Sequence, residues 1–179
     1  MACLATKGRL LPCKDKIGGL YKLWFINFGT TTPVLNADNI ITSLSGGSMY
    51  EYEIKGASKF IQDMVTNSNG TSVTQTLTVD LPGGDYITNN ELLKFAYGRV
   101  QVVVQDNFGS AWLAGRLRGL DMTTSVFDFG AATTDKYGYM ATFLGSENQY
   151  GEFLSGSTIT NAFAGLSLSP TKVLGVLVT

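Results

Sequence analysis

The sequence contains no histidine at all. That absence excludes the Ser–His and Cys–His pairs of nucleophilic catalysis and every zinc site that needs an imidazole. The two cysteines, Cys3 and Cys13, form a C-x9-C pair without a second pair, which is not a zinc-ligand spacing. Because the sequence shows no secretory signal, a disulfide between them is not expected. A metal site would have to consist of carboxylates alone, and these are scattered. We therefore expect no catalytic, cofactor-binding or metal-binding residues.

Charged residues are scarce as well. They make up 15% of the chain, against about 25% in an average globular protein. The net charge is −1, so there is no overall basic field to hold DNA or RNA through its phosphates. A surface with so few charges is covered by Ser, Thr, Asn, Gln and Gly, or it is buried against partner molecules. No apolar run reaches the length of about 18 residues that a membrane-spanning helix needs, so no membrane insertion is expected.

The positive charges that do occur are concentrated near the N-terminus. Residues 1–22 contain a single acid, Asp15, and five basic residues, Lys7, Arg9, Lys14, Lys16 and Lys22. Such a segment is either a solvated arm or an arm that docks on an acidic patch of a neighbouring subunit. The sequence leaves both interpretations open.

Short strands separated by turn signals dominate the rest of the chain. Residues 19–28 are aromatic and nearly continuously apolar, which predicts a strand buried on both faces. Residues 49–55 alternate strictly between aromatic or aliphatic and charged side chains, as in a strand with two different faces. Further strands are predicted at 38–44, 57–66, 99–105, 110–117, 122–129 and 137–145.

The clearest strand is 71–81. Its polar face carries Ser72, Thr74, Thr76, Thr78 and Asp80, and its mostly apolar face carries Val73, Gln75, Leu77, Val79 and Leu81. This alternation predicts a half-buried antiparallel strand. The sequence Pro82-Gly83-Gly84 then ends it.

One helix follows that break. Thr88 is the predicted N-cap, with Glu91 completing a capping box. Gly98 is the predicted C-terminal glycine. A helix of about nine residues is too short to be stable alone, so it must pack on the sheet. The predicted buried stripe consists of Leu92, Leu93, Phe95 and Ala96.

These elements predict a mainly β fold of two packed antiparallel sheets, sandwich- or barrel-like, with one short flanking α-helix. We assign residues 1–149 to one β-rich domain that begins with a basic arm at 1–18. Residues 150–179 are Gly/Ser-rich and apolar and end in KVLGVLVT. We interpret them as a C-terminal extension that completes a sheet of its own chain or pairs with the edge of a neighbouring subunit.

Two groups of residues have both a chemical and a structural interpretation. Glu51 and Glu53 share one strand face, and paired carboxylates can hydrolyse glycosides, but a solvent-exposed face balanced by Lys55 is the favoured interpretation. Aromatic clusters can stack bases or sugars, yet in strands of this kind they more often form the core. The aromatic residues concerned are Tyr21, Trp24, Phe25 and Phe28 in one run and Phe127, Phe129, Tyr137 and Tyr139 in another.

Three segments resemble a family of structural proteins from tailed bacteriophages. They are PCKDKIGGLYKLWFINFG at 12–29, YEYEIKGASKFIQDMVTNSNGTSVTQTLTVDL at 50–81, and ELLKFAYGRVQVVVQDNFGSAWLAGRLRGLDMTTS at 91–125. The chain is similar to the tail tube proteins over roughly residues 8–147. The features that carry the resemblance are the Asn69-Gly70-Thr71 turn before a strand, the short helix leading into Tyr97-Gly98-Arg99, and the Val-rich strand ending at Asp106-Asn107.

The resemblance implies two packed antiparallel sheets, hexameric rings, and stacking of those rings into a tube through which DNA passes without sequence-specific binding. It implies a location in the virion tail after assembly in the host cytoplasm, and contacts with other tail proteins such as a sheath, baseplate or terminator. Strand 71–81, paired with 49–55 or with 57–66, is then expected to line the lumen. The alternatives are another virion assembly protein (a head–tail connector, a tail terminator or a capsid decoration protein) or a β-sandwich carbohydrate-binding module.

Overall fold

A computed structural model of the protein describes residues 8–9, 18–54, 57–168 and 170–175. The elements in chain order are β1 (Leu20–Asn27), β2 (Thr32–Leu35), β3 (Ile41–Ser45), β4 (Ser48–Glu53), β5 (Lys59–Asn67), β6 (Gly70–Pro82), α1 (Tyr86–Tyr97), β7 (Arg99–Asp106), β8 (Ala111–Ala114), β9 (Leu120–Asp128), β10 (Gly138–Glu147), β11 (Glu152–Phe153), β12 (Ser167–Leu168) and β13 (Thr171–Val173). The prediction of a mainly β, sandwich-like fold with one short helix is confirmed.

β1 is buried on both faces over residues 23–26, as its run of apolar residues predicts. Leu23 and Phe25 enter one hydrophobic core, and Trp24 and Ile26 enter a second core on the opposite side. Alternate side chains of a strand point to opposite faces, so the part of a strand that lies between two cores is apolar on both faces. β1 is therefore the wall that the two cores share.

The larger sheet contains ten strands and folds back on itself around the first core. Its order is β13-β4-β1-β7-β9-β10-β6-β5, with β8 and β11 added beside β7. β7 and β9 are joined by only two residue pairs, Arg99 with Asp121 and Val100 with Leu120. In the sheet order, β7 and β9 lie between β1 and β10. Even so, the ring centroids of Phe25 on β1 and Phe143 on β10 are only 5.2 Å apart. The narrow β7–β9 connection is thus the corner of the sandwich.

The helix packs on this first core through Leu92 and Phe95, and the Phe95 ring stacks on Phe25 at 4.8 Å. Two details of the predicted helix are wrong. The N-cap is Asp85, whose Oδ1 accepts the N–H of Thr88 at 2.7 Å, so the helix begins earlier than Thr88. Leu93 and Ala96 are exposed rather than buried, because the buried face of a helix of twelve residues is set by its contact with β1 and β10.

The second core lies between β1 and a small sheet of the order β12-β3-β2. Residues after 150 contribute to it, since Leu154, Ala162 and Phe163 are all buried there. β12 pairs with β3, and β13 pairs with β4; both pairs are parallel. The described part of the C-terminal extension therefore adds strands to both sheets of its own chain, and these two pairs depart from the all-antiparallel expectation.

Candidate functional site

Four neighbouring strands, β5, β6, β10 and β9, present one continuous face away from the core. Their pairing places side chains in rows across the strands, for example Lys59–Thr78–Thr142–Thr124. We call this surface the polar sheet face. It is formed by Lys59, Ile61, Asp63 and Val65 on β5, by Ser72, Thr74, Thr76, Thr78 and Asp80 on β6, by Met140, Thr142, Leu144 and Ser146 on β10, and by Asp121, Thr124 and Val126 on β9.

Hydroxyl groups dominate the middle of the polar sheet face, and charges are few. Its strand residues include one lysine and three aspartates and no arginine. Asp80 is nearly buried and lies 2.7 Å from Lys136 Nζ. Its other carboxylate oxygen accepts the N–H of Ala57. Lys136 and Arg99, which pairs with Asp121 at 3.1 Å, therefore offset two of the three acids, and the face is left nearly neutral and cannot attract phosphate strongly.

Both lateral edges of this four-stranded layer are largely without a paired strand in the described part of the chain, and α1 lies near β9. β5 pairs with β6 on one side only. β9 pairs with β10 along its length, but on the other side only its first two residues pair, with β7. Open strand edges are sites where another chain can add a strand. β5 is also apolar at its exposed positions Ile61, Met64 and Val65.

The structure distinguishes the two pairings left open for strand 71–81. β6 forms a hairpin with β5, the predicted strand 57–66, through the two-residue turn at Ser68-Asn69. The predicted strand 49–55 corresponds to β4, which lies near the opposite end of the larger sheet. β4 therefore contributes nothing to the polar sheet face.

Buried polar side chains fix the loop 115–118 to one end of the sandwich. Gln75 Oε1 accepts the N–H of Gly115 at 2.8 Å, and Glu147 Oε1 accepts the N–H groups of Leu117 and Arg118. The Arg116 guanidinium forms an ion pair with the buried Glu152 carboxylate. The loop thus presents Arg118 to solvent on a rigid backbone. The sequence contained one signal for this arrangement: Gln75 is the polar exception on the apolar face of β6.

A groove of about 700 Å³ opens at the other end of the sandwich. The N-terminus of α1, the end of β6, β4 and the residues after β13 form its walls. Its apolar wall includes Leu81, Ile87, Val173 and Leu174, and its acidic residues are Glu51, Glu53, Asp85 and Glu91. We call this site the acidic groove. No lysine or arginine belongs to its lining as described.

Glu51 and Glu53, the carboxylates with a possible hydrolytic interpretation, both bind Lys22. Lys22 Nζ lies 3.0 Å from Glu51 and 3.1 Å from Glu53, and the hydrogen bond to Glu51 raises the pKa of Lys22. Glu51 also accepts the indole N–H of Trp24 at 3.1 Å. The favoured balancing residue, Lys55, lies outside the described residues, and in the structure Lys22 serves that purpose.

Tyr52 forms the floor between the acidic groove and the first core. Burial is the main cause that raises the pKa of its phenol, and the nearby carboxylates of Glu91 and Asp85 raise it further. Its ring packs edge-on against Phe25 at 4.9 Å. The neutral phenol is therefore the form that the fold favours.

Each aromatic run is divided between core and surface, and Tyr21 of the first run is 41% exposed. Trp24 and Phe25 are buried in the two cores, as favoured by the sequence. In the second run, Phe127 contacts Phe129 at 4.5 Å and Tyr139 at 4.4 Å, but Phe129 is 73% exposed. Only part of that cluster belongs to the core, and the rest forms an aromatic surface beside α1.

Cys3 and Cys13 lie outside the described residues. Within the part of the chain that the structure describes, no three His, Cys, Asp or Glu residues come together as a metal site would require. The same part contains no helix long and apolar enough to cross a membrane. Comparisons with protein-family models, with curated proteins and with solved structures found no match.

Proposed function

We propose that this protein is a structural component of a bacteriophage virion, the tail tube protein, which forms stacked hexameric rings around a lumen for DNA. The observation that carries the proposal is the four-stranded layer with a polar sheet face and two open lateral edges. The resemblance of residues 8–147 to tail tube proteins supports the same conclusion.

Ring formation uses the open edges. In the proposal, the β5 edge of one subunit pairs with the free side of β9 in the next, so that the four-stranded layers continue around the ring. Closure removes the strand edges that otherwise invite uncontrolled aggregation. When each subunit binds the next through the same head-to-tail contact, the subunits form a closed ring if the rotation between neighbours divides a full turn evenly.

The polar sheet face then lines the lumen. DNA must move along the lumen without being held, and strong binding to phosphate requires clusters of Lys and Arg. Threonine and serine hydroxyls with nearly balanced charges supply a wetted surface instead. We accordingly propose that DNA passes without sequence-specific contact and that other tail proteins bind the ends or the outside of the tube.

A head–tail connector, a tail terminator or a capsid decoration protein would use similar β-rich self-association, and these remain the alternatives within the virion. A carbohydrate-binding module is favoured by one separate observation. Phe129 is 73% exposed and Tyr86 is 78% exposed, and Tyr86 lies with Phe127 around a shallow pocket that also contains Asp85 and Asn89. Exposed aromatic rings beside an amide and a carboxylate suit the stacking and hydrogen bonding of sugars.

Negative-stain electron microscopy of the purified protein tests the proposal. A tube protein forms long, uniform cylinders, whereas a connector or terminator stops at one ring. A carbohydrate-binding module stays monomeric, and a glycan raises its melting temperature. Absence of both cylinders and rings at high protein concentration would refute the proposed assembly.

The assembled cylinder also allows the lining of the lumen to be mapped. In a Cys3→Ser, Cys13→Ser background, the variant Thr76→Cys places a thiol on the polar sheet face. We expect a small maleimide to label it in cylinders and a maleimide on a bulky polymer not to. The matched control is Asn90→Cys on the exposed side of α1, where both reagents should react. Equal labelling of the two positions by the bulky reagent would exclude the polar sheet face as lumen lining.

A further inference from the structure

The acidic groove is a site that the proposed lumen and ring contacts do not use. Its acidic residues are each held in place by a neighbour. Asp85 caps α1, Glu51 and Glu53 bind Lys22, and Glu91 lies 2.5 Å from Lys94. Lys22 and Lys94 offset two of the four negative charges, so the groove keeps a net negative charge beside an apolar wall.

We propose that the acidic groove binds the basic N-terminal segment, residues 7–17, of a second copy of this chain. This inference rests on the proposed function, because it names a contact between subunits of the assembly. It assigns both the surface and the segment that occupies it.

The segment matches the groove in charge and in apolar character. Residues 7–17 contain four basic side chains and one acid, Asp15, and three apolar residues, Leu10, Leu11 and Pro12, stand in the middle. Oppositely charged surfaces steer association and fix its register. The Leu-Leu-Pro sequence supplies apolar side chains for the wall formed by Leu81, Ile87, Val173 and Leu174. Because Leu11 precedes a proline, an extended backbone is favoured in the bound segment, which suits a groove.

A neighbouring copy, rather than the same chain, supplies the segment. Arg9 is exposed, and a Cβ built on Gly8 would meet no atom within 4 Å. Neither residue belongs to the lining of the groove as described. The segment precedes Gly18, whose carbonyl oxygen accepts a hydrogen bond from Asn107. From Gly18 to Leu11 the chain can extend over seven residues at up to about 3.6 Å each, a reach of about 25 Å.

Disulfide trapping with the native Cys13 tests the contact. One full-length chain carries Cys3→Ser and keeps Cys13. A second full-length chain carries Cys3→Ser, Cys13→Ser and Ile87→Cys, which puts a thiol on the groove wall. The matched control replaces Ile87→Cys by Asn90→Cys, an exposed position one turn along the same helix. The two chains are mixed, oxidised mildly and separated on a non-reducing gel, and mass spectrometry identifies the joined peptides.

We expect the mixed disulfide with position 87 to exceed that with position 90 by roughly tenfold, because docking raises the effective thiol concentration. Lys14→Glu with Lys16→Glu in the first chain should abolish this preference, and so should about 1 M salt, which shortens the Debye length to about 3 Å. Equal yields at the two positions, or no mixed disulfide, would overturn the proposal. A third chain carries Cys3→Ser and Ile87→Cys and keeps Cys13. If this chain, when diluted, forms only the internal disulfide between positions 13 and 87, the segment occupies the groove of its own chain and the proposal is also overturned.

The two proposals fail in different ways. If cylinders form and the trapped disulfide shows no preference for position 87, the groove contact is wrong and the tube assignment stands. If neither cylinders nor rings form, the tube assignment is wrong, whether or not the disulfide is trapped.

Discussion

Gln75 and Gln62 are joined side chain to side chain across the β5–β6 hairpin, with 3.1 Å between Gln75 Nε2 and Gln62 Oε1. The same Gln62 oxygen accepts the N–H of Gly151 at 2.6 Å. This pair of amides therefore ties the hairpin, the loop at Gly115 and the start of the C-terminal extension together.

We predict that Gln75→Leu lowers the free energy of unfolding by about 1–3 kcal/mol, because the buried N–H of Gly115 and the Gln62 side chain lose their partners. Urea denaturation measures the change. Thr76→Val, one residue along the same strand on the polar sheet face, is the control and should stay within about 0.5 kcal/mol of the wild type. Equal effects of the two substitutions would show that the amide network contributes little to stability.

Tyr52 gives a prediction about alkaline pH. Burial raises the pKa of its phenol in the folded state above its value near 10 in an unfolded chain. The stability that Tyr52 contributes as a neutral phenol is thus complete below about pH 10 and is lost as the pH rises above it.

Between about pH 9 and pH 11, we expect the unfolding free energy to fall with pH in the wild type and to fall less steeply in Tyr52→Phe. The difference in slope is at most about 1.4 kcal/mol per pH unit, which corresponds to the release of one proton. Urea titrations at several pH values measure the slope. Tyr97→Phe is the matched control, because Tyr97 is 86% exposed. Lys22 has a raised pKa as well and acts in the same direction, but it is present in all three proteins. Identical slopes for the wild type and Tyr52→Phe would contradict the prediction.

The open β5 edge gives a prediction about assembly. Val65 is 56% exposed on this edge strand, and a lysine on an edge strand opposes the addition of another strand. We expect Val65→Lys to prevent the formation of cylinders and to change the unfolding free energy by no more than about 0.5 kcal/mol. Analytical ultracentrifugation and negative-stain images measure the first effect, and urea denaturation measures the second. Ile159→Lys is the control, because Ile159 is similarly exposed at 50% and is not part of the polar sheet face, and this variant should assemble normally. Cylinders formed by Val65→Lys would exclude the β5 edge from the ring contact.

Deletion of Thr171–Thr179 removes β13 and the apolar residues after it. β13 has three residues, all exposed, and pairs only with β4, so its loss costs little packing. We expect the deletion to impair assembly more than folding. The urea midpoint measures folding and the yield of cylinders measures assembly, and both are compared between the truncated and the full chain. Normal assembly of the truncated protein would show that the segment is dispensable.

Local patterns were enough to predict most strands and the burial of β1, because alternation and continuous apolar runs report directly which faces are covered. The N-cap of α1 shows where they fail. Thr88 with Glu91 matches the capping-box pattern, whereas Asp85 was not among the predicted caps. The structure contains Asp85 as the cap, and the Tyr139 hydroxyl donates a hydrogen bond to the Asp85 carbonyl at 3.1 Å. That contact joins residues 54 positions apart and has no local signal.

The candidate site was predictable in its composition and not in its extent. The alternation in 71–81 identified the Thr-rich face of β6, but no sequence pattern indicated that β9 and β10 continue it. The acidic groove was missed altogether, because Glu53 lies on β4 whereas Asp85 and Glu91 lie at the start of α1, and the proximity of these two distant elements depends on the folding of the larger sheet at the β7–β9 corner.

The parallel pairing of β12 with β3 has a consequence for synthesis. Ser43 and Ser167, which face each other in this pair, are 124 positions apart. During translation, β3 and β4 therefore remain without these partners until nearly the whole described chain has left the ribosome. Folds with such long-range pairing form slowly, since a large loop must close before its contacts stabilise it. In the cell, completion of both sheets is thus tied to synthesis of residues 167–173, so a shorter nascent fragment lacks the finished sheets that self-association would require.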